Sequence, residues 1–358
     1  MSRAVLRDRF GIYLHVPFCS KKCDYCSFAT WTDRDHLVED YLRACKAQAR
    51  DAASSISLIS SVFIGGGTPN LVPAQLLMDI FDGLPLQPNA EFTVECNPDQ
   101  VTADDLEIYV DHGVNRISLG VQSMVPHVLG SLGREHNPDN VHNSVEIIRN
   151  AGIKNLNLDL IYGAQGETLK DWDRSLSEVL ALQPDHISAY ALTVEAGTPL
   201  AKAPERHPDD DDQAEKYLLA DDRITIGGYS NYEISNWARK SKECRHNLLY
   251  WSQGEYLGLG VAAHSHIDLR RFWSVRTPER FIAAIANGES VEAGSERLEA
   301  ENRELEARQL ALRLREGVPE IYVPDEVQHL MEASQVEGNL RLNLQGRLLA
   351  NEVAIRLR

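Results

Sequence analysis

Short runs of β-branched and apolar residues alternate with longer stretches of helical spacing through the first two hundred positions. Residues 11–16 (GIYLHV), 62–64, 91–96 (EFTVEC), 116–121 (RISLGV), 155–161 (NLNLDLI) and 186–192 (HISAYAL) read as strands. Between them, 36–52, 73–81, 102–112, 138–151 and 169–182 repeat apolar residues at the spacing of one helix face. Pro73 and Pro138 suit first helical turns, and Gly113 and Gly152 suit the positions just past a helix end. Six strands separated by helices predict parallel βα units in a barrel or an open sheet. In such folds the chemistry sits at the C-terminal ends of the strands.

The alternation stops near 201–212, where prolines precede the run HPDDDD, which reads as a solvated loop and helix start. Residues 229–276 are aromatic and irregular, and 279–315 read as helices. The last forty residues read helix (PDEVQHLMEAS), strand (NLRLNL), helix (GRLLANEVAIRLR), a small winged-helix-like unit. The expected organisation is a core at 1–200, an aromatic-rich region at 201–290 and a C-terminal helical, winged-helix-like domain at 291–358.

Charge narrows the function classes. Across 358 residues, 36 Lys+Arg face 53 Asp+Glu, a formal net charge of −17. That balance repels phosphate backbones and anionic membrane surfaces. A nucleic-acid-reading tail would rest on one basic face near Arg347, Arg356 and Arg358. No apolar run approaches the roughly 18–20 residues that span a bilayer, and the N-terminus makes a poor secretory signal. A cytoplasmic location is expected. Of six cysteines, Cys19, Cys23 and Cys26 fall within eight positions, a clustering that points to a metal or cluster site and away from a disulfide scaffold.

The C-x3-C-x2-C loop follows the first predicted strand directly. Three thiolates cannot complete a four-cysteine site, whereas on a [4Fe–4S] cluster they leave one iron open to another ligand. The residues alone also admit a zinc site completed by His15 or a distant cysteine, or three unligated thiols. Gly65-Gly66-Gly67-Thr68-Pro69 follows the second strand, where glycines let backbone approach a ligand closely. Glu95, Gln122, the turn Gly133-Arg134-Glu135, and Asp159 follow at or beyond later strand ends. Each has an ordinary structural reading as a cap or loop contact, and together they suit ribose hydroxyls, a carboxylate or an adenine.

This series resembles the radical S-adenosylmethionine (SAM) superfamily, in which SAM chelates the open iron of such a cluster. The resemblance implies a partial parallel (β/α)6 barrel, an α/β fold with an α-rich C-terminal region over or beside its mouth. It also implies a cluster on Cys19, Cys23 and Cys26 and a SAM pocket of Tyr13, Gly66, Gly67, Thr68, Glu95, Gln122, Arg134 and Asp159. Within the oxygen-independent coproporphyrinogen dehydrogenase branch, two features separate this chain from the decarboxylating enzymes. Phe28 stands where they carry a further cysteine, and only eighteen residues precede Cys19. His246-Asn247-Leu-Leu-Tyr250-Trp251 resembles the HNxxYW motif of the HemW haem chaperone family.

That likeness implies haem as cargo and haem-accepting proteins as partners, with no turnover chemistry required. It admits a homodimer and peripheral contact with membrane haemoproteins. The competing expectation is a radical enzyme that draws on an electron donor, cleaves SAM and abstracts hydrogen from a porphyrinogen. Residue chemistry is consistent with haem: imidazole can ligate its iron, and Tyr250 and Trp251 supply flat apolar surface with a polar edge. The ordinary reading of His246 is a hydrogen-bonded histidine in a packed aromatic segment. Cys244, two residues away, and His264 and His266, either side of Ser265, are further candidates.

Overall fold

The computed structural model describes residues 9–134 and 136–357. Glu135 of the glycine–arginine turn and Arg358 of the basic tail lie outside the described residues. Six strands run parallel in chain order: β1 (Phe10–Val16), β2 (Ile59–Gly66), β3 (Leu86–Cys96), β4 (Arg116–Gln122), β5 (Asn155–Tyr162) and β6 (His186–Ala191). In β1 the outward side chains Ile12, Leu14 and Val16 are completely buried. The alternate positions, Gly11, Tyr13 and His15, face inward, as a period of two requires. Burial on both faces suits a parallel sheet, and here the inner face is largely polar.

Helices α1 (Val38–Ala52), α2 (Ala74–Met78), α3 (Ala103–Asp111), α4 (Pro126–Ser131), α5 (Pro138–Asn150) and α6 (Leu169–Ala181) connect these strands. Thr102, Asn137 and Thr168 cap three of them, the last through a reciprocal bond with Asp171. The predicted helix 73–81 ends early, its last turn tightening into a 3-10 helix at Asp79–Phe81. Helix α7 (Asp210–Ile226) follows, and its fully buried Lys216 donates to the carbonyl of Glu167 at 2.8 Å. The Glu167 side chain accepts from the Gly163 amide at 2.7 Å, which closes the 163–167 turn.

Residues 229–276 form five short strands and one helix, where the aromatic pattern predicts irregular chain. Strands β7 (Ser230–Glu233) and β8 (Asn236–Ala238) form a hairpin on β6. After α8 (Arg245–Trp251), β9 (Glu255–Leu259) pairs in parallel with the other side of β1. Antiparallel β10 (His264–Ile267) and β11 (Arg270–Ser274) continue outward, then α9 (Pro278–Ala286) precedes β12 (Glu292–Arg297) on β11. The resulting order is β12-β11-β10-β9-β1-β2-β3-β4-β5-β6-β8-β7. Within the predicted helical stretch 279–315, the charged segment EAGSER is therefore a strand, because β11 offers it a ladder.

Helix α10 (Ala300–Ala311) leads to β13 (Val318–Pro319), β14 (Met331–Ala333) and β15 (Asn339–Leu342), a small sheet of order β13-β15-β14, then α11 (Leu344–Leu348) and α12 (Ala350–Ala354). The predicted helix across 324–334 is instead a 3-10 turn, Asp325–Leu330, followed by β14. Pairing of Met331–Ala333 with β15 wins there over helical continuation. The tail has its own apolar cluster around Val318, Val327, Leu330, Leu342 and Val353.

Candidate functional site

A cavity of about 1430 Å³ opens at the C-terminal ends of the parallel strands. Cys19, Cys23 and Cys26 all line it, and all six cysteines of the chain are free thiols. Burial pushes the Cys19 thiol up, against hydrogen bonds from Thr68 and Thr30, and the neighbouring Cys26 and Cys23 raise it further. Cys26 is likewise raised, chiefly by burial, with Cys23 adding repulsion. Thiols that raise one another in this way resist ionising together without a cation to share.

The glycine run makes close packing possible around that loop. A Cβ on Gly67 would lie 2.7 Å from the Val16 carbonyl oxygen and 3.0 Å from Cys19 Sγ. Gly66 has φ of +109°, and a Cβ there would enter the His15 ring at 2.4 Å. The Gly66 amide donates to Glu95 Oε2 at 3.1 Å. These glycines thus admit close protein neighbours, at positions that also line the cavity.

Deeper in the cavity, Glu95 is pushed up to about 7, first by burial and then by nearby Asp159, while the Gly66 amide pulls the other way. Asp159 accepts from Ser118 Oγ and Asn157 Nδ2, each at 2.8 Å. Gln122 has φ of 62°, at a β-bulge between Gly120 and Gln122 that re-aims the strand end. Burial opposes the charge of Arg134, and Tyr25, Cys23, Cys19 and Asp159 outweigh that opposition. Its Nη2 donates to the Gly120 carbonyl at 3.3 Å, and its buried Nε has no protein partner. Sequence reasoning missed His136, which lines this cavity and is pushed down to about 4 by burial and by Arg134. No local pattern marked it. Residues of the tail, His329, Arg347 and Asn351 among them, also line the cavity.

Ten of the eleven predicted cluster and SAM residues meet here: Cys19, Cys23, Cys26, Gly66, Gly67, Thr68, Glu95, Gln122, Arg134 and Asp159. Tyr13 does not. It donates to or accepts from His15 Nδ1 at 3.0 Å and faces a second cavity of about 860 Å³. Tyr250 and Trp251 line that second cavity with Tyr13, and Ser27 and Phe28 line both cavities.

His246 and Asn247 line neither. The motif HNLLYW forms α8, whose N-terminus is held by the buried Glu91. Glu91 accepts from the amides of Arg245 and His246, each at 3.1 Å, and from Cys244 Sγ at 3.5 Å. His246 is completely buried inside the barrel against Gly11 and Phe63. Its Nδ1 bonds Ser61 Oγ at 2.9 Å and its Nε2 bonds the Tyr250 hydroxyl at 2.8 Å. Burial, helped by Arg116, pushes it down to about 3, so the ring is neutral. Neither nitrogen is free for iron in this arrangement. Cys244, completely buried and pushed up to about 12, chiefly by burial, is equally closed off.

Fold and cysteine loop together define a radical SAM barrel. Residues 13–179 match the model of the Radical SAM superfamily. The chain superposes on Escherichia coli coproporphyrinogen III oxidase (HemN), described as a radical SAM enzyme, with a TM-score of 0.83 at 19% identity, covering 99% of this chain and 93% of that one. It is 38% identical to the heme chaperone HemW of Mycobacterium tuberculosis H37Rv over 96% of this chain and 93% of that protein. It is 33% identical to HemW of Bacillus subtilis 168, covering 95% of this chain and 97% of that one, and 35% identical to HemW of E. coli K12, covering 72% and 70%. The chain belongs to the HemW heme chaperone family of the radical SAM superfamily. Membership implies a [4Fe–4S] cluster and SAM, and the lining of the first cavity fits them in kind: the three cysteines of one loop, two half-buried carboxyls and an arginine.

Proposed function

We propose that this chain binds haem and passes it to acceptor haemoproteins in the cytoplasm, from a barrel that also holds a [4Fe–4S] cluster and SAM. Similarity to heme chaperones along 96% of the chain carries this reading. Cys19, Cys23 and Cys26 would hold the cluster. Glu95 suits the cationic amino group of SAM, Arg134 its carboxylate, and Asp159 and Gln122 its hydroxyls; Gly66, Gly67 and Thr68 give the ligand room and backbone contacts. In this superfamily the pair supplies one-electron reductive cleavage of SAM, which delivery of haem does not require. Within the HNxxYW motif, Tyr250 and Trp251 reach the second cavity while His246 holds the helix that presents them. Tyr13 joins that same wall.

The test is an anaerobic haem titration of cluster-reconstituted protein, followed by mixing with an apo-haemoprotein. Saturable binding with a shifted Soret band, then transfer, is expected, and Cys19→Ala, Cys23→Ala or Cys26→Ala should lose the cluster's visible absorption. No haem binding, together with 5′-deoxyadenosine release and porphyrinogen decarboxylation, would overturn the chaperone reading in favour of a radical dehydrogenase.

A further inference from the structure

The second cavity is lined by β1 and by the antiparallel ribbon β9–β12 that continues the sheet from it, and the register of that ribbon decides what faces it. His264 opposes Trp273, and His266 opposes Arg271 on one side and Tyr256 on the other. A period of two along each strand places these five side chains on one face, and all five line the cavity. This juxtaposition is invisible from the sequence, where Tyr256 and Trp273 stand well apart.

His264 is solvent-exposed, and neither of its ring nitrogens has a hydrogen-bond partner among the described residues. Its ring stacks on Trp273, with centroids 5.5 Å apart and planes 28° apart, so its plane is held without using a nitrogen. Partial burial and Arg271 lower its pKa, which leaves the lone pair available at neutral pH. His266, only 4% exposed, donates Nδ1–H to the Gly254 carbonyl at 3.1 Å, so its Nε2 is the acceptor nitrogen, and that buried atom has no partner. The indole N–H of Trp251 is also buried without a partner. Buried polar groups are normally satisfied, so two orphans on one cavity wall mark a surface lacking its ligand.

The rim supplies charge. Arg271 is tied to Glu296 and Glu306. Arg276 and Arg280, both exposed and both lining the cavity, have no ion-pair partner among the described residues. Two unpaired guanidiniums beside an aromatic cavity, in a chain of net charge −17, match a planar ligand bearing two carboxylates. A volume of about 860 Å³ lies within the range of small-molecule sites.

Building on the haem-binding reading, we infer that this cavity is the haem site, with His264 as axial ligand to the iron and Arg276 and Arg280 at the two propionates. Haem seated there lies against Ser27 and Phe28, which follow Cys26, so the cargo and cluster sites share a wall.

Anaerobic titration of the cluster-reconstituted full chain with haem tests it. Wild type should saturate at a single haem with a shifted Soret band. His264→Ala should lose that band position and at least tenfold in affinity, and added imidazole should restore the band. Arg276→Glu with Arg280→Glu should weaken binding at least tenfold while keeping the wild-type band position. Wild-type spectrum and affinity in a folded His264→Ala protein would overturn this site and leave the haem reading standing. Failure of wild type to bind haem would overturn both.

Discussion

Glu95 concentrates the electrostatic tension of the first cavity in one carboxyl. Its pKa lies at about 7 against an ordinary 4.5, because burial and Asp159 both disfavour its charge. The sign follows: ionising Glu95 costs the folded protein stability as pH rises from 4.5 through about 7, and a cation bound beside it removes that cost. SAM affinity should therefore rise with pH, by up to about tenfold between roughly pH 6 and pH 8. Glu95→Gln, which cannot ionise, should bind SAM weakly with a flat profile. Isothermal titration at several pH values checks this, and parallel profiles for the two proteins would count against Glu95 as the cation partner.

At the scale of elements, α8 is a plug in the floor of the barrel. Glu91 holds its first amides, and the His246 side chain ties its first turn to Ser61 on β2 and to Tyr250 one turn on. Removing the imidazole leaves a void and takes a partner from the buried Ser61 hydroxyl and from the half-buried Tyr250 hydroxyl. His246→Ala should cost about 2–4 kcal/mol of stability, read as a lower urea midpoint at an unchanged slope. Loss of haem binding in that variant would then follow from displaced Tyr250 and Trp251, and should be repaired by His246→Asn or His246→Gln to the extent that they restore the midpoint. The motif was legible as letters, but its placement was not. A seven-residue helix shows no periodicity long enough to reveal which face it buries.

Across the whole molecule, the tail reaches back to the mouth of the barrel. Arg347 pairs with Asp221 of α7 through two bonds, at 2.8 and 2.9 Å, and lies over the Tyr217 ring at 5.7 Å. The basic face that keeps a nucleic-acid reading alive in the sequence is thus partly spent on packing, and Arg356 pairs with Glu352. Arg347→Ala should lower stability by roughly 1–3 kcal/mol and release the tail to limited proteolysis before the barrel is cut. Unchanged digestion would mean that the apolar contacts alone hold the tail in place. No helix among the described residues is long and apolar enough to cross a membrane.

The parallel strands and their helices were readable because each is a contiguous run whose own alternation or spacing declares it. Errors gathered at ends such as Ile59-Ser60-Ser61, where buried serines interrupt the apolar pattern. The cysteine loop and the glycine run were readable for the same local reason, as was their place at strand ends. Tertiary structure decided the rest. Short strands such as β8 and the charged β12 exist because a neighbouring edge completes their hydrogen bonds, which no window of sequence contains. Sheet order placed Tyr13 in the second cavity, apart from the cysteines, and closed both nitrogens of His246. Strand register gathered His264, His266, Trp273 and Arg271 on one wall, because side chains distant along the chain meet only when ladders align them.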